Sequence, residues 1–597
     1  MQKHVWAILI LLLLITAVWS LPVSALNDET KPIPNGPSAR TWNDFYKVSL
    51  RHNQRVIVGS YKRMGMRNPK WDTAALSFLN SFTRWYASRD CGLEIDANTI
   101  IKQGKAASDQ GCIDPIVMTC LAVMLVDNGS HSEAIPLLQR GLADFHKIAK
   151  LPRDIARLAP IYLIKLTSIA PGFSVDEINV CSQLAVKWTS QSVREGSYLP
   201  DESRVLYHML NECSKDFSKE NLRSLFDAVG SAPKPDKYAV SLLGGLAEIK
   251  EAWVERGNED PYAVTKEGHI QFGHHLVIAR ELLTKAWKLH PEYPEAPTAI
   301  IAIAREGFTN RNDTPRRWFD RAVAAQMDYG PAYDEMHNSL LYYRDLLGLY
   351  EFGVDCLNTK RFDTGVPWRF LKLLWAIQSM RNGNKTYWVA SETTQHLSVL
   401  YDGYEKSGFL HGKDFYRSMR AATAWYCGRS DEAKKILSEL GNKLNKSVFH
   451  DFFHVDYAVA KDGLDRGVVM GLMALNPENG HYYELRTAAQ KITWIQAKSL
   501  AELVTYESFK GHLATISSQS EEAFIRSLGL NDKSYWTGAY NNNGAWQWVT
   551  SEPWSYSNVS ETGIATSGER GAYIRSSGLW DVFTTNTIID GYVVECE

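Results

Sequence analysis

Cysteine is scarce in this sequence, which has eight cysteines among its 597 residues. No two of them have the C-x-x-C spacing of a zinc or redox site, and they are too dispersed for a small disulfide framework. Cys91–Cys112 and Cys112–Cys120 are the local pairs that could form disulfides, and small buried thiols are the alternative interpretation. A protein held together by a disulfide framework is therefore not expected.

An excess of charge of one sign is also missing, because 65 basic residues face 67 acidic ones. A nucleic-acid-binding surface normally shows as a basic stripe, so nucleic acid is not expected as a partner. Catalytic signatures are missing as well: the sequence has no G-x-S-x-G elbow, no phosphate-binding glycine loop and no paired-carboxylate motif. The sequence therefore predicts a protein that is not an enzyme and that requires no cofactor.

A single long apolar run occurs, from Val5 to Trp19, near the start of the sequence. Lys3 precedes it, and Val23-Ser24-Ala25 follows it with small residues that suit signal peptidase. The run is short for a membrane span, which needs about 20 apolar residues. We expect a signal peptide over residues 1–25, with an uncleaved anchor as the alternative. The expected location is secreted, periplasmic or cell-surface, with no integral membrane span after cleavage.

The next part of the chain changes from a polar to a helical pattern. Residues 26–41 are polar and proline-rich, as a linker would be. From 42 to 470 the apolar residues recur mostly with helical spacing. The segment Gly-Ser-His-Ser-Glu-Ala from Gly129 resembles Gly-Arg-Ser-Asp-Glu-Ala from Gly428. In each, we expect the glycine to close one helix and the following Ser or Asp to cap the next.

A second internal similarity has the spacing of a known repeat. Leu282-Leu283-x-x-Ala286 is followed by Tyr293-Pro-Glu-Ala, and Trp318-Phe319-x-x-Ala322 is followed by Tyr329-Gly-Pro-Ala. The offset is close to the ~34 residues of a tetratricopeptide unit, and the segments resemble degenerate tetratricopeptide repeats. The resemblance implies an all-α, tetratricopeptide-like solenoid over 42–470, which would present a concave face to a peptide or protein.

A histidine pair is the metal-binding candidate of the helical region. His450 and His454 lie four residues apart with Asp456 nearby, so they could share a metal ion on one helix face. The zincin pattern has Glu where this sequence has Asp451, and no third ligand can be assigned. A plain helix face is the interpretation that we favour.

Residues 478–597 show a different pattern, with short strands around two helices. Tyr482-Tyr483-Glu484-Leu485 alternates like a strand, and Thr493 caps a helix that begins at Trp494. Gly511-His-Leu-Ala-Thr-Ile516 forms a short strand, and Ser518-x-x-Glu521 fits a capping box at the start of a second helix.

A hairpin and a final strand complete this region. Tyr535-Trp-Thr-Gly538 and Trp546-Gln-Trp548 flank Asn541-Asn-Asn-Gly544, whose residues allow the positive φ of a tight turn. Gly591 to Glu595 forms another strand. The Tyr-Tyr strand, T-W-x-x-A helix, G-H-L-A-T-I strand, W-x-G turn and W-x-W strand resemble, in this order, the C-type lectin-like family. The resemblance implies an α+β C-type lectin-like domain of the disulfide-poor bacterial type.

The resemblance also implies that ligand binds at the long loop after the W-x-W strand and in the segment that follows it. The residues expected to bind ligand are Trp554, Tyr556, Asn558, Glu561, Glu569 and Asp581. An exposed Trp554 or Tyr556 could stack on a sugar ring, and a core position for Trp554 is the alternative.

Calcium could bind in this loop, because many family members hold sugar through calcium at Glu-Pro-Asn or Gln-Pro-Asp and at Trp-Asn-Asp. Calcium needs about six to eight oxygen ligands. Here Glu552-Pro553 belongs to the turn before the loop, and Trp-Asn-Asp is reduced to Trp580-Asp581-Val582. Asp581, Glu569 and Glu561 are then the expected calcium ligands. The alternative is a core Trp580 with Asp581 capping a loop.

Three functions fit these features. In the one that we favour, a secreted or cell-surface protein binds a carbohydrate or an extracellular protein through its C-type lectin-like domain, and the helical repeats are a scaffold. In the second, the repeats bind a protein partner and the lectin-like domain is structural. The third is a metal-dependent hydrolase at His450 and His454. The reduced calcium motif favours a protein or an unusual glycan over classical sugar binding.

Overall fold

The computed structural model describes the following residues: 31–89, 95–147, 152–170, 172–194, 198–257, 264–309, 313–381, 386–453, 455–465, 473–506, 509–528, 530, 533–542, 544–559, 569–575 and 579–597. The predicted signal peptide, residues 1–25, lies outside them, and so do Cys91, His454 and Glu561. Among the described residues, no helix has both the length and the apolar character needed to cross a bilayer.

The first of two compact units ends at Tyr343 and is helical. Its helices are α1 (Trp42–Asn53), α2 (Gly59–Met64), α3 (Asp72–Ser88), α4 (Ala97–Asp109), α5 (Pro115–Asp127), α6 (His131–Phe145), α7 (Arg153–Ala156), α8 (Leu158–Thr167), α9 (Val175–Arg194), α10 (Ser203–Asp216), α11 (Lys219–Gly230), α12 (Lys237–Arg256), α13 (Lys266–Leu289), α14 (Glu295–Arg305), α15 (Pro315–Ala325) and α16 (Gly330–Tyr342). A π turn, Gln54–Val58, joins α1 to α2.

Helix α5 is apolar on every face and is buried along almost its whole length. Asp114 caps it by accepting hydrogen bonds from the backbone N–H groups of Ile116 and Val117, at 2.9 and 3.1 Å. Pro115 occupies its first position, where the missing N–H costs nothing. Because α5 has no polar face, it is stable only when buried, and the neighbouring helices pack around it.

The second unit begins at Arg344 with further helices. They are α17 (Leu346–Asn358), α18 (Arg369–Met380), α19 (Thr386–Val389), α20 (Ser391–Ser407), α21 (Lys413–Tyr426), α22 (Ser430–Leu440), α23 (Ser447–Phe453) and α24 (Tyr457–Asp465). Their shared core is rich in aromatic side chains, among them the buried Trp388, Tyr401, Tyr404 and Trp425.

The same unit continues into a sheet with two helices. Its elements are β1 (Ala474–Leu475), β2 (Tyr482–Ile492), α25 (Trp494–Glu502), β3 (Thr505–Tyr506), β4 (Phe509–Leu513), α26 (Gln519–Ser527), β5 (Tyr535–Asn542), β6 (Ala545–Trp548), β7 (Arg570–Ile574), β8 (Asp581–Thr584) and β9 (Ile589–Cys596). The main path of neighbouring strands is β1-β2-β9-β5-β7-β8, with β4 on β9, β3 on β4 and β6 on β5. Strand β9 is central, antiparallel to β2 and β4 and parallel to β5.

The predicted fold class is confirmed, since a mostly helical region precedes a C-terminal α+β domain. Several local predictions are confirmed with it. Thr493 caps α25 and Ser518 caps α26, and β5 pairs with β6 across the predicted turn, with Asn542 opposite Ala545. The capping box at Ser518 is incomplete, because the Glu521 carboxylate accepts hydrogen bonds from Ser517 instead.

The first internal similarity is partly confirmed in structure. Gly129 and Gly428 have left-handed backbone angles, with φ of +79° and +74°, as expected of glycines that close a helix. The next helix begins two residues after each glycine, so Ser132 and Asp431 lie inside its first turn. The prediction that they cap the helix was wrong, because the left-handed glycine turns the chain into the new helix earlier.

The residues of the second internal similarity take part in helix packing. Their tetratricopeptide-like character stays a prediction. Leu283 and Ala286 on α13, and Phe319 and Ala322 on α15, are all buried. In both segments a new helix, α14 or α16, begins after the predicted turn. The domain boundaries 26–41, 42–470 and 478–597 likewise remain predictions.

Cys112 and Cys120, one of the two local pairs that could form a disulfide, are free, buried thiols, which agrees with the alternative interpretation. Cys120 lies inside α5, whose regular backbone fixes its position. Burial raises the pKa of Cys112 to about 11, so its thiol stays protonated at neutral pH.

At two glycines of the C-terminal motifs, a neighbouring backbone comes so close that no side chain fits. A Cβ atom on Gly511 would lie 2.6 Å from Ala501 O, and one on Gly538 would lie 2.6 Å from Leu513 O. Real Cβ atoms essentially never come closer than 3.0 Å to such neighbours. The W-x-G turn therefore needs glycine at its third position because β4 passes directly behind it.

Replacing Gly538 with Ala is expected to destabilise the C-terminal domain by about 1–3 kcal/mol, because the new methyl group meets backbone that cannot move aside. Urea denaturation of the full chain, followed by tryptophan fluorescence, measures the change. Gly365→Ala is the matched control, since nothing lies within 4 Å of the Cβ that it adds. Equal unfolding midpoints for Gly538→Ala and the control would contradict the prediction.

Candidate functional site

The candidate ligand site begins where the chain leaves β6 and passes over Trp580. The backbone N–H of Trp580 donates to Asn558 O at 2.8 Å, and Val559 pairs with Trp580 as an isolated parallel bridge. The loop is therefore held against the start of β8. Residues 560–568, which include Glu561, lie outside the described residues, so the prediction for Glu561 has no structural counterpart here.

An aromatic cluster lies beneath this loop. The ring centroid of Trp554 lies 5.6 Å from that of Trp546 and 4.7 Å from that of Trp548. Trp580 lies 5.8 Å from Trp548 and 6.0 Å from Tyr556, again between centroids. Trp548 and Trp580 are fully buried, whereas the other three rings are half-buried. Trp554 thus already packs against the core and offers only part of its surface to a ligand.

A buried glutamate on α26 anchors the loop. Glu522 is 4% exposed, and its carboxylate accepts a hydrogen bond from the Tyr556 hydroxyl at 2.9 Å and from Asn558 Nδ2 at 2.9 Å. Arg526 Nε donates to the same carboxylate at 2.8 Å. Burial and the contact with Glu522 raise the pKa of Tyr556 to about 12. Tyr556 and Asn558 therefore use these polar groups to hold the loop.

The two described residues of the predicted calcium set lie in different environments. The carboxylate of Asp581 forms an ion pair with Arg575, whose guanidinium nitrogen lies 2.6 Å from Oδ2. Glu569 is exposed, and its backbone carbonyl accepts a hydrogen bond from Thr585 N. A cation at Asp581 would have to displace Arg575 before it could bind. The calcium site, with Glu561 as its third residue, stays a prediction.

Three large apolar side chains around β8 are exposed, and the sequence analysis did not single them out. Leu579, Phe583 and Ile588 are 52%, 46% and 55% exposed. Phe583 stacks on Tyr573 of the neighbouring strand, with centroids 5.6 Å apart and ring planes 6° apart. We call residues 579–588 the β8 segment. No periodic signal marks it, because its three exposed side chains fall on a loop, a strand and a turn.

The histidine pair predicted in the helical region is only partly described. His450 has a side chain that is 78% exposed, and its Nδ1 lies 3.4 Å from Asp451 Oδ1. Asp456 accepts a hydrogen bond from Ala458 N at 2.7 Å, at the start of α24. His454 lies outside the described residues. The metal-dependent hydrolase stays an untested alternative.

The strand order, the aromatic cluster and the loop held by α26 define the class of this domain. Residues 492–588 match the family model of the lectin C-type domain. The C-terminal segment of the chain is a C-type lectin-like domain, and ligand recognition is the role that such a domain suggests.

Three similar proteins each match a small share of this chain. Halomucin of Haloquadratum walsbyi is 37% identical over 82 residues, which are 13% of this chain, and the match spans about 1% of halomucin. The carbohydrate-recognition domain of mouse scavenger receptor C-type lectin is 21% identical over 19% of this chain and 88% of that domain, with a TM-score of 0.16. The human counterpart is 20% identical over 20% and 91%, also with a TM-score of 0.16.

Replacing Glu522 with Gln is expected to loosen the loop, because it removes the charge that three hydrogen-bond donors share. Hydrogen bonds to charged groups contribute about 1.5–3 kcal/mol each. Hydrogen–deuterium exchange of the full chain should therefore become faster at residues 554–559. Glu502→Gln is the control, since Glu502 is half-exposed and pairs with Lys498 along α25. Unchanged exchange in Glu522→Gln would show that Glu522 does not hold the loop.

Proposed function

We propose that the protein is an exported, non-enzymatic recognition protein whose C-type lectin-like domain binds an extracellular ligand without calcium. The β8 segment carries this proposal, because it exposes three large apolar side chains, Leu579, Phe583 and Ile588, within a short stretch of chain. Apolar side chains clustered at a surface are typical of protein-binding sites. A protein ligand is therefore favoured over a glycan.

The polar groups near the β8 segment support binding without calcium. Asp581 is paired with Arg575, and Tyr556 and Asn558 are bonded to Glu522. A ligand would meet a surface whose polar side chains are already ordered, so little conformational entropy is lost on binding.

The test is binding of the full chain to an array of extracellular proteins and glycans, with calcium and with chelator. Binding should survive the chelator, and Phe583→Ser should weaken it about tenfold or more, as expected for a central apolar contact. Leu503→Ser is the control, because Leu503 is 68% exposed at the end of α25. Binding that chelator abolishes, or that Phe583→Ser leaves unchanged, would contradict the proposal.

A cavity in the first unit favours a second candidate function, in which the helices bind a protein partner. The cavity has a volume of about 740 Å³, and aromatic side chains line much of it, including Trp253, Phe272, Phe308 and Tyr342. Trp253 is 39% exposed and carries the Arg256 guanidinium 5.5 Å above its ring. Such a concave aromatic surface with a nearby cation suits a peptide segment.

The two candidate functions predict opposite results for one pair of variants. If the helices bind the partner, Trp253→Ala should weaken binding to the captured ligand and Phe583→Ser should not. If the lectin-like domain binds it, the effects are reversed. Equilibrium binding of both full-length variants to the same ligand distinguishes them.

Export itself has a direct test. The signal peptide proposed for residues 1–25 should be removed after Ala25, which leaves Leu26 as the first residue of the exported protein. N-terminal sequencing of protein recovered outside the cytoplasm measures this. Protein that is retained in the cytoplasm with its first residues intact would contradict the proposed export.

A further inference from the structure

Two histidines and two glutamates meet where the first long strand and the last strand of the C-terminal domain lie side by side. Glu595 on β9 lies opposite Tyr483 on β2 and opposite His512 on β4. His481 directly precedes β2, and Glu597 directly follows β9. Residues two apart on a strand share a face, so Glu595 and Glu597 project to one side of the sheet, next to both imidazoles.

The carboxylate of Glu597 lies between the Nε2 atoms of the two imidazoles. Its Oε2 is 3.4 Å from His481 Nε2, and its Oε1 is 3.3 Å from His512 Nε2. One potential ligand atom from each of His481, Glu595 and Glu597 lies within 4.8 Å of the other two. The side chain of Glu597 is 38% exposed, so it can rotate to improve this geometry.

The opposite ring nitrogens already have acceptors that orient the imidazoles. His481 Nδ1 lies 2.7 Å from Glu595 Oε1, and His512 Nδ1 lies 3.0 Å from the backbone carbonyl of Leu513. A carboxylate and a carbonyl only accept, so in a neutral imidazole the proton on Nδ1 faces these groups, and Nε2 can then bind a metal ion in place of a proton. A histidine that binds a metal is held in this way, by a carboxylate or carbonyl on its other nitrogen.

Glu595 is itself held in place. It is 1% exposed, and its carboxylate accepts hydrogen bonds from the Tyr483 hydroxyl at 2.6 Å and from Thr515 N at 2.7 Å. Its orientation therefore does not depend on His481. Because Glu595 is already fixed, it holds His481 in place before a metal ion binds, which lowers the entropic cost of binding.

We propose that His481 Nε2, His512 Nε2 and the Glu597 carboxylate bind a divalent metal ion of the Zn²⁺ type, with Glu595 and the Leu513 carbonyl as positioning groups. Imidazole with carboxylate suits zinc and its neighbours in the first transition row. Calcium needs about six to eight oxygens and would not select two nitrogens. The bound ion joins β2, β4 and β9 at the edge where the domain begins and ends. A fourth position is open to water or to a ligand atom.

The proposal is tested by titrating the metal-free full chain with Co²⁺ and recording its visible absorption, and then by competing with Zn²⁺ and with Ca²⁺. One equivalent of Co²⁺ should bind with the spectrum of nitrogen and oxygen ligands and without a thiolate charge-transfer band. Zn²⁺ should displace it and Ca²⁺ should not. His481→Gln and His512→Gln should each weaken binding by more than about tenfold. His274→Gln is the control, because that side chain is exposed on α13 in the first unit.

Glu597→Gln keeps the test decisive if a histidine variant fails to fold, since Glu597 follows the last strand and its side chain is partly exposed. Circular dichroism verifies that each variant is folded. A folded Glu597→Gln protein should also lose Co²⁺ affinity by about tenfold or more. The proposal is overturned if the wild type shows no saturable site, if the spectrum shows thiolate ligands, or if the folded variants bind Co²⁺ as tightly as His274→Gln.

Discussion

The pairing of β2 with β9 is the interaction on which the C-terminal domain depends. It joins strands that lie far apart in the chain, as with the paired residues Tyr483 and Glu595, 112 residues apart. The two faces of β9 are buried in separate cores: Val593 packs into one, and Tyr592 and Val594 pack into the other. A strand covered on both faces contributes about 1.5–3 kcal/mol per large side chain buried, which explains how this domain holds together with Cys596 as a free thiol.

The position of the candidate ligand site depends on this strand pairing. Strands β5, β7 and β8 follow β9 in the sheet. The loop after β6 contacts the backbone of Trp580, and Glu522 on α26 binds Asn558 in that loop. Asp581, one of the residues predicted to bind calcium, is paired with Arg575, whereas the side chain of Glu569 is exposed. Exposed apolar side chains occur in the β8 segment, where Phe583 stacks on Tyr573.

The features that could be predicted from the sequence are those that depend on residues close together in the chain. The cap at Thr493 and the hairpin turn at Asn541 depend on residues a few positions apart, and both were confirmed. The contacts of Glu522 with the loop and of His481 with Glu597 depend on strand register across the whole domain, which no local pattern encodes. The site residues were predicted by resemblance. Tyr556 and Asn558 contact Glu522 and Trp554 packs on the core, and their role in ligand binding stays a prediction.

The most direct measurement of the central claim is hydrogen–deuterium exchange of the full chain with and without its bound ligand. We expect slower exchange in residues 579–588 on binding, together with little change at 554–559, because Glu522 already orders that part of the loop. Slower exchange confined to the helices around Trp253 and Tyr342, with the C-terminal domain unaffected, would contradict recognition by the C-type lectin-like domain.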